Sequence, residues 1–597
     1  MKFFKKLVTC LLAGCMLFSV TACTDGNTNG REYTGKETEL KVGVYDGGLG
    51  HVWLEKVAAA FEEKFKDTSF EEGKTGVRIK LNPTKSNMLL EKVESAIDMN
   101  QSAEDVYFLC QFTGTPEIFN GRSLNITDMV EQKVYLENGE LADMEYDAAT
   151  GKLKLKDGAT APTKSIADKM TSANREGYYM GAKQLDRNGD GVSDYAEGYW
   201  ALPFENSLSG LIYDRDLFEE EGWLDYDGID GLPDTMDDFF DLCDRIVDAG
   251  MIPFIFSRNV VNYWGGLADA FLAQYEGYDN AELDYTFDGS YTFPAGTFDA
   301  QTVADEGITV NADNTQTVEI TRDNAWMLIH TPGKAAWIRF LRQLVDPKYY
   351  DDHMYDSSFA YTDAPKNFIL SKMGKAGQKR IAMLYEGEWW ENENRAQFAY
   401  AGGYGTRDFR FFPLPFIEGQ KDPDMRSVAD YSCGVDLFVN AKTQKAALAK
   451  IFLQYVHSES ALETFTLETG ITRMYDYDLS DEQLAKMSKF GQNTYKIKMT
   501  DTTGVTVTGS RAKLVADPFW AEFRSGMGYG GLLTSDVMGD GTTWDFYQQP
   551  VLFFADNAGV NGSSKVSADS FLTGMYRFYD KTNWTNALNA WKALQNG

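Results

Sequence analysis

The sequence is short of the residues that build disulfides and metal sites, and of apolar runs that cross membranes. It holds six cysteines, and beyond residue 23 only Cys110, Cys243 and Cys433 remain. An odd, widely spaced set with no CxxC pair excludes a disulfide framework and a cysteine zinc site, so buried free thiols are expected. The four histidines, His51, His330, His353 and His457, form no HExxH arrangement. After residue 22 no segment approaches roughly eighteen consecutive apolar residues, which excludes a spanning helix there. Positive charge is scarce as well: 57 basic against 89 acidic residues give a formal charge of −32. Such a surface repels phosphate backbones and anionic headgroups, so nucleic acid is excluded as a partner. A neutral or cationic ligand fits it better than an anionic one.

What is present begins with a basic opening (Lys2, Lys5, Lys6) and an apolar run over residues 7–20, too short to span a bilayer. It ends in Val20-Thr21-Ala22-Cys23, which resembles a lipobox: cleavage before Cys23, then diacylation of its thiol. An ordinary secretory signal cleaved after Ala22 is the alternative. Residues 24–37 are polar and rich in Gly and Asn, as a flexible tether would be. The expected location is the outer face of the cytoplasmic membrane of a Gram-positive cell, with lipid as the sole membrane attachment. Removing 22 of 597 residues leaves 575, enough for two to four domains or two enlarged lobes.

Residues 40–45 read as a strand, and the loop Asp46-Gly47-Gly48-Leu49-Gly50 leads into a helix where Trp53, Val57, Ala60, Phe61 and Phe65 recur at helical spacing. Residues 77–81, 87–99 and 105–109 follow as strand, helix and strand. This β-α-β-α-β order predicts a parallel sheet with helices on both faces. Ligands bind such sheets outside the carboxyl ends of the strands, which singles out Asp46 and Gln111 with Phe112. Each reads equally well as a helix cap or a loop residue.

The sharpest local motif is Asp186-Arg-Asn188-Gly-Asp190-Gly191-Val192-Ser-Asp194-Tyr-Ala-Glu197. Oxygen donors fall at positions one, three, five and nine, glycine at the turn and glutamate at twelve, as a calcium loop requires, with Val192 offering its carbonyl. An acidic surface turn is the plainer alternative. The flanks, 177–185 and 199–204, read as strands rather than helices. The expectation is therefore a structural Ca2+ on a hairpin, not an EF-hand sensor.

Residues 199–245 give the broadest signal. An aromatic strand (199–204) meets the polar break Glu205-Asn206-Ser207, then a second strand (211–213). A short acidic helix ends at Gly222, and Pro233-Asp234-Thr235 opens another, with Thr235 or Asp234 placed to cap it. This order resembles the passage from first to second lobe in family 1 extracellular solute-binding proteins, the carbohydrate-type binding proteins of bacterial ABC importers. Further points of resemblance are residues 368–376 with Ile381 to Trp390, the turn Phe412-Pro413-Leu414-Pro415, residues 431–439, and the Phe-Thr-Leu-Glu-Thr-Gly-Ile run ending at Ile471.

The resemblance implies a two-lobed α/β fold like that of periplasmic binding proteins. Each lobe would be a mostly parallel sheet flanked by helices, and crossing hinge segments would join them. Lobe 1 would take 39–206 and 436–505, lobe 2 207–435 and 506–597, with insertions at 113–198 and 275–320 and a helical tail from 517. It implies a monomer that captures a carbohydrate between its lobes and passes it to permease subunits, with no catalysis. The ligand contacts so implied are Asp46, Gln111, Glu205, Asn206, Trp264, Trp389 and Tyr431. An indole such as that of Trp389 offers a flat apolar face to a sugar ring while carboxylates and amides hold the hydroxyls. Trp389 also reads as a buried structural residue, and Glu205 as a hinge residue. Two other classes compete: a secreted glycan hydrolase using carboxylates such as Glu386 and Glu388, and a calcium-stiffened surface adhesion lipoprotein. The run Gly526 to Gly531 spells GxGxxG without strand-turn-helix context and carries no nucleotide-binding weight.

Overall fold

The computed structural model describes residues 33–595 except 85–88, 111–114, 188–190, 206, 258–262, 351–353, 355–357, 375–377, 432–434, 509–515, 521–553 and 555–565. Strand β1 (Thr38–Tyr45) turns Thr38, Leu40 and Val42 inward at alternate positions. Helix α1 (Val52–Lys64) buries Trp53, Leu54, Val57, Ala58 and Phe61. Ala58 thus takes the inward place expected of Ala60, which is exposed. Strand β2 (Val77–Thr84), helix α2 (Leu89–Asp98) and strand β3 (Val106–Cys110) complete the expected opening. β1 pairs in parallel with both β2 and β3.

A long excursion then leads back to this sheet through β4 (Leu202–Pro203). Of the strand expected over 199–204, only these two residues join the sheet; Gly198 and Tyr199 pair with Met180 and Tyr179 instead. Of the strand expected over 177–185, Tyr179 and Met180 form one, paired antiparallel with Tyr199 and Gly198, while Tyr178 ends a helix, Ser172–Tyr178. Thr171 starts that helix by accepting from the Asn174 amide, a local bond that an alternation pattern does not reveal.

The chain crosses over at Glu205 and continues as β5 (Ser207–Asp214), buried along its whole length. Asp214 caps a helix over Arg215–Glu221, which Gly222 ends in the left-handed region at φ 70°. Thr235, not Asp234, caps α3 (Met236–Asp248) by accepting from the Asp238 amide; Asp234 pairs with Arg426. There follow β6 (Ile252–Ile255), α4 (Tyr263–Glu276), β7 (Ile381–Gly387), β8 (Phe409–Phe412) and β9 (Ser427–Tyr431). The second crossing returns the chain as β10 (Val435–Val439) and α5 (Ala446–Val456). Then α6 (Lys489–Met499) leads to β11 (Thr506–Thr508).

Two sheets result. The first has the order β2-β1-β3-β10-β4, the second β6-β7-β5-β9-β11 with β8 also on β5. Parallel pairing, expected to dominate, holds for β1 with β2 and β3, β6 with β7 and β9 with β11. The strands at the crossings, β4, β5, β9 and β10, bring antiparallel pairs, because a chain arriving from the other lobe enters its sheet in the opposite sense.

Each sheet has its own apolar core. One gathers side chains such as Leu40, Phe61, Phe108, Phe204, Leu437 and Phe452; the other gathers Ile212, Phe254, Trp264, Trp337, Met383 and Trp591. Helix α6 serves both, giving Phe490 and Ile497 to the second and Tyr495 to the first. The described helices of the tail, Ala568–Phe578 and Lys581–Gln595, pack on the second core. The expected insertions carry small sheets of their own, over 144–155 and 289–320. Lys183 of the first donates to the Thr286 carbonyl of the second at 3.1 Å. Cys243 is a buried free thiol as expected, and burial pushes it well above the usual thiol range. No described helix is long and apolar enough to cross a membrane.

Candidate functional site

The register of the second sheet collects the candidate residues at one end. Glu386 lies opposite Gly210, Gly387 opposite Ser209 and Tyr431 opposite Ser207. Both crossings leave from this end: Pro203 and Asp436 are paired neighbours in the first sheet, and Ser207 and Tyr431 in the second. Arg473 and Tyr475 both donate to the Pro203 carbonyl at 3.0 Å and fix the first crossing from behind.

Trp389 follows β7 and reaches across to the other lobe. It is 7 % exposed and packs with the core of the first lobe, though its strand belongs to the second. A Cβ at position 48 would lie 2.9 Å from the Trp389 ring and Cβ, so only glycine there admits the indole so closely. Asn392 adds a bond from its side-chain amide to the Gly48 carbonyl at 2.6 Å. Against the other edge stands Tyr263, ring centroids 5.4 Å apart at 73°. The Trp389 side chain also hydrogen-bonds Glu386.

Trp264, expected among the ligand contacts, lies elsewhere. It is fully buried and stacked on Tyr385, centroids 4.1 Å apart and planes within 6°, with Phe256 edge-on. Its ring is core, and its neighbour Tyr263 meets Trp389. Asp46 neither caps α1 nor stands alone: its Oδ1 lies 2.8 Å from His51 Nδ1, and His51 also approaches Glu55. Gln111 and Asn206 lie outside the described residues, as does Cys23. Tyr431 ends β9 opposite Ser207.

Glu205 is buried at the first crossing, where the Ser207 hydroxyl donates to it. Burial pushes its carboxyl up to about 7, with the Ser207 bond and Lys498 pulling it down and the Glu388 charge pushing it up. Glu388 itself is held in an ion pair: Lys498 Nζ lies 2.5 Å from its Oε2, both side chains being 0 % exposed. The Leu208 amide donates to the same carboxylate at 3.0 Å, and Lys498 donates to the Thr472 carbonyl at 2.6 Å.

Sequence reasoning missed Lys498 and Asp436. Asp436 is buried beside the second crossing; Tyr178 donates to one oxygen, and the other has no partner. Burial raises it to about 7, the Tyr178 bond opposing and the charges of Glu117 and Glu205 adding. Its one available signal was its place within the crossing run 431–439 that carries part of the resemblance.

In the acidic loop, Asp186 Oδ2 accepts from the Gly191 amide at 2.7 Å and Asp194 Oδ2 from the Arg187 amide at 2.9 Å. Gly191 has φ 87°. These are the inward turn and the left-handed glycine that a calcium loop needs. Asn188 and Asp190 lie outside the described residues, and among the described ones no three metal-ligating side chains converge. A pocket of about 430 Å³ lies apart from these groups, lined by Tyr213, Asp408, Arg410, Lys489 and Lys496 among others.

Residues 53–463 match the family of bacterial extracellular solute-binding proteins. The chain belongs to that family. It is 26 % identical over 146 residues to an erythritol/L-threitol-binding protein of Mycolicibacterium smegmatis, a match that covers 24 % of this chain and 25 % of that protein's length. Among solved structures, a chitin oligosaccharide binding protein aligns over 92 % of this chain and 100 % of its own, with 12 % identity and a TM-score of 0.50. The apo form of RafE from Streptococcus pneumoniae aligns over 92 % and 99 %, with 13 % identity and a TM-score of 0.47. The two-lobed binding-protein architecture is thus this chain's own.

Proposed function

We propose that the chain captures a sugar or oligosaccharide between its lobes and delivers it to the permease of an ABC importer. The observation that carries this is Trp389, an indole held at the lobe junction between Tyr263 and the Gly48 loop, with buried carboxyls at Glu205, Glu386 and Asp436 nearby in the fold. A rigid aromatic face beside convergent polar groups suits a carbohydrate, and ligand bridging both lobes would favour their closure. Family membership and a sugar-alcohol-binding relative support the reading. Asp46, Gln111, Glu205, Asn206, Trp389 and Tyr431 are the proposed contacts, with Tyr263 in place of Trp264. The lobes would comprise 39–206 with 436–505, and 207–435 with 506–597. Lipidation of Cys23 would hold the monomer on the outer face of a Gram-positive cytoplasmic membrane.

A thermal-shift screen against mono- and oligosaccharides tests this. A ligand at a hundredfold excess over Kd stabilises by about 2.7 kcal/mol, which raises Tm by a few degrees. In the Trp389→Ala variant that shift should vanish, and an unchanged shift removes Trp389 from the site.

The same reading assigns a structural Ca2+ to Asp186, Asn188, Asp190, Asp194, Glu197 and the Val192 carbonyl, where the Gly191 turn and the Asp186 bond fit a bound ion. The ion would offset the crowding of these carboxylates and brace the segment entering the first crossing. Chelation should lower the ligand-free Tm, and calcium should restore it; a melt indifferent to both would remove the ion.

A further inference from the structure

We propose that the ligand is cationic, a sugar carrying a protonated amine, because Glu205, Glu386, Glu393 and Asp436 gather around Trp389 and the two crossings and, among the described residues, none of them has an ion pair. This rests on the carbohydrate reading above and names the ligand class within it. Glu205, Glu386 and Asp436 are each buried to within 3 %. Most of the charges acting on Glu205, Glu386 and Asp436 are acidic. Glu386 feels Glu393; Glu205 feels Glu388 and Lys498; Asp436 feels Glu117 and Glu205. Lys498, the one cation acting on the set, is already bonded to Glu388 and to the Thr472 carbonyl.

A buried carboxylate without a counter-charge is costly, and two remedies exist: a proton or a cation. Without ligand the proton serves. Burial holds Glu205, Glu393 and Asp436 near 7 and Glu386 well above the usual range. A neutral sugar would only hydrogen-bond to these groups, whereas an ammonium both donates and neutralises. The second oxygen of Asp436, buried and without a partner, is an acceptor left open for such a donor. The aromatic pair fits the same molecule, since Trp389 and Tyr263 can stack on the ring and attract the adjacent cation.

Calorimetric titration of the full chain tests this with a glucosamine trimer, its N-acetylated form, cellotriose and spermidine. The free-amine trimer should bind about tenfold or more tightly than its acetylated form, the scale of one charge-assisted contact. Its binding should also release protons, read as a dependence of the heat on buffer ionisation. Glu386→Gln should shrink both the preference and the proton release. Equal or tighter binding of the neutral trimers would overturn the proposal and leave the carbohydrate reading standing. Binding of spermidine but no sugar, or of none of the four, would overturn both.

Discussion

Lys498→Met should lower the free energy of unfolding by about 3–5 kcal/mol, the usual cost of leaving one partner of a buried ion pair unmatched. Lys498 and Glu388 are fully buried, and their bonds tie four separate segments together: Leu208 after the first crossing, the turn after β7, Thr472, and α6. Removing the amine leaves Glu388 desolvated and without its counter-charge beside Glu205, whose own carboxyl already feels Glu388. The Lys498→Met, Glu388→Gln double variant removes both charges and should recover most of the loss, because an apolar or neutral replacement of a whole buried pair is often close to neutral. Lys154→Met is the control. Its pair with Glu145 leaves both side chains about half exposed (55 % and 49 %), where water screens the attraction and little stability is at stake. Guanidinium midpoints of the four proteins provide the measurement. A Lys498→Met loss no larger than the control, or a double variant as unstable as the single, would show that the pair does not hold the crossings.

Several elements of both lobes were legible because their signals are local. Alternation in β1, the helical stripe from Trp53 to Phe65 and the Thr235 cap each need only a few neighbouring residues. Trp389 was legible through resemblance, and the crossing at Glu205 through its polar break between two apolar strands. Trp264 lies in the core and its neighbour Tyr263 against Trp389 for a geometric reason: successive helix residues point about 100° apart, so a one-residue step exchanges one environment for the other. The helix Ser172–Tyr178 hid behind a single cap bond. Lys498 was not legible at all, and Asp436 only as one member of the crossing run 431–439. Their roles arise from partners distant in sequence, Glu388 for one and Tyr178 for the other. The antiparallel pairs had the same cause, since strand direction at a crossing depends on where the chain returns from.

The ligand-free protein should be more stable at pH 5 than at pH 8, the reverse of most acid-sensitive proteins. Glu205 and Asp436 carry folded-state values of about 7, whereas unfolded carboxyls titrate near 4. Between these values the folded chain binds protons that the unfolded chain has released. Stability therefore falls as pH rises from about 4 to 7 and beyond, by on the order of 3–4 kcal/mol for each group if they titrate independently. They do not, because Glu205 acts on Asp436; the second to ionise does so at higher pH and stretches the loss upward. Glu37, held down at about 2 by hydrogen bonds from Thr34 and Gly35, works in the opposite sense, but only in acid below its unfolded value. The net charge of −32 adds general self-repulsion as carboxyls ionise, so the slope alone does not identify the groups. Glu205→Gln and Asp436→Asn do: each removes one buried titration and leaves the rest of the surface almost unchanged. Melting temperatures measured from pH 5 to 8 should fall steeply in the parent and less steeply in each variant. A parent as stable at pH 8 as at pH 5, or variants that keep the full slope, would refute the assignment.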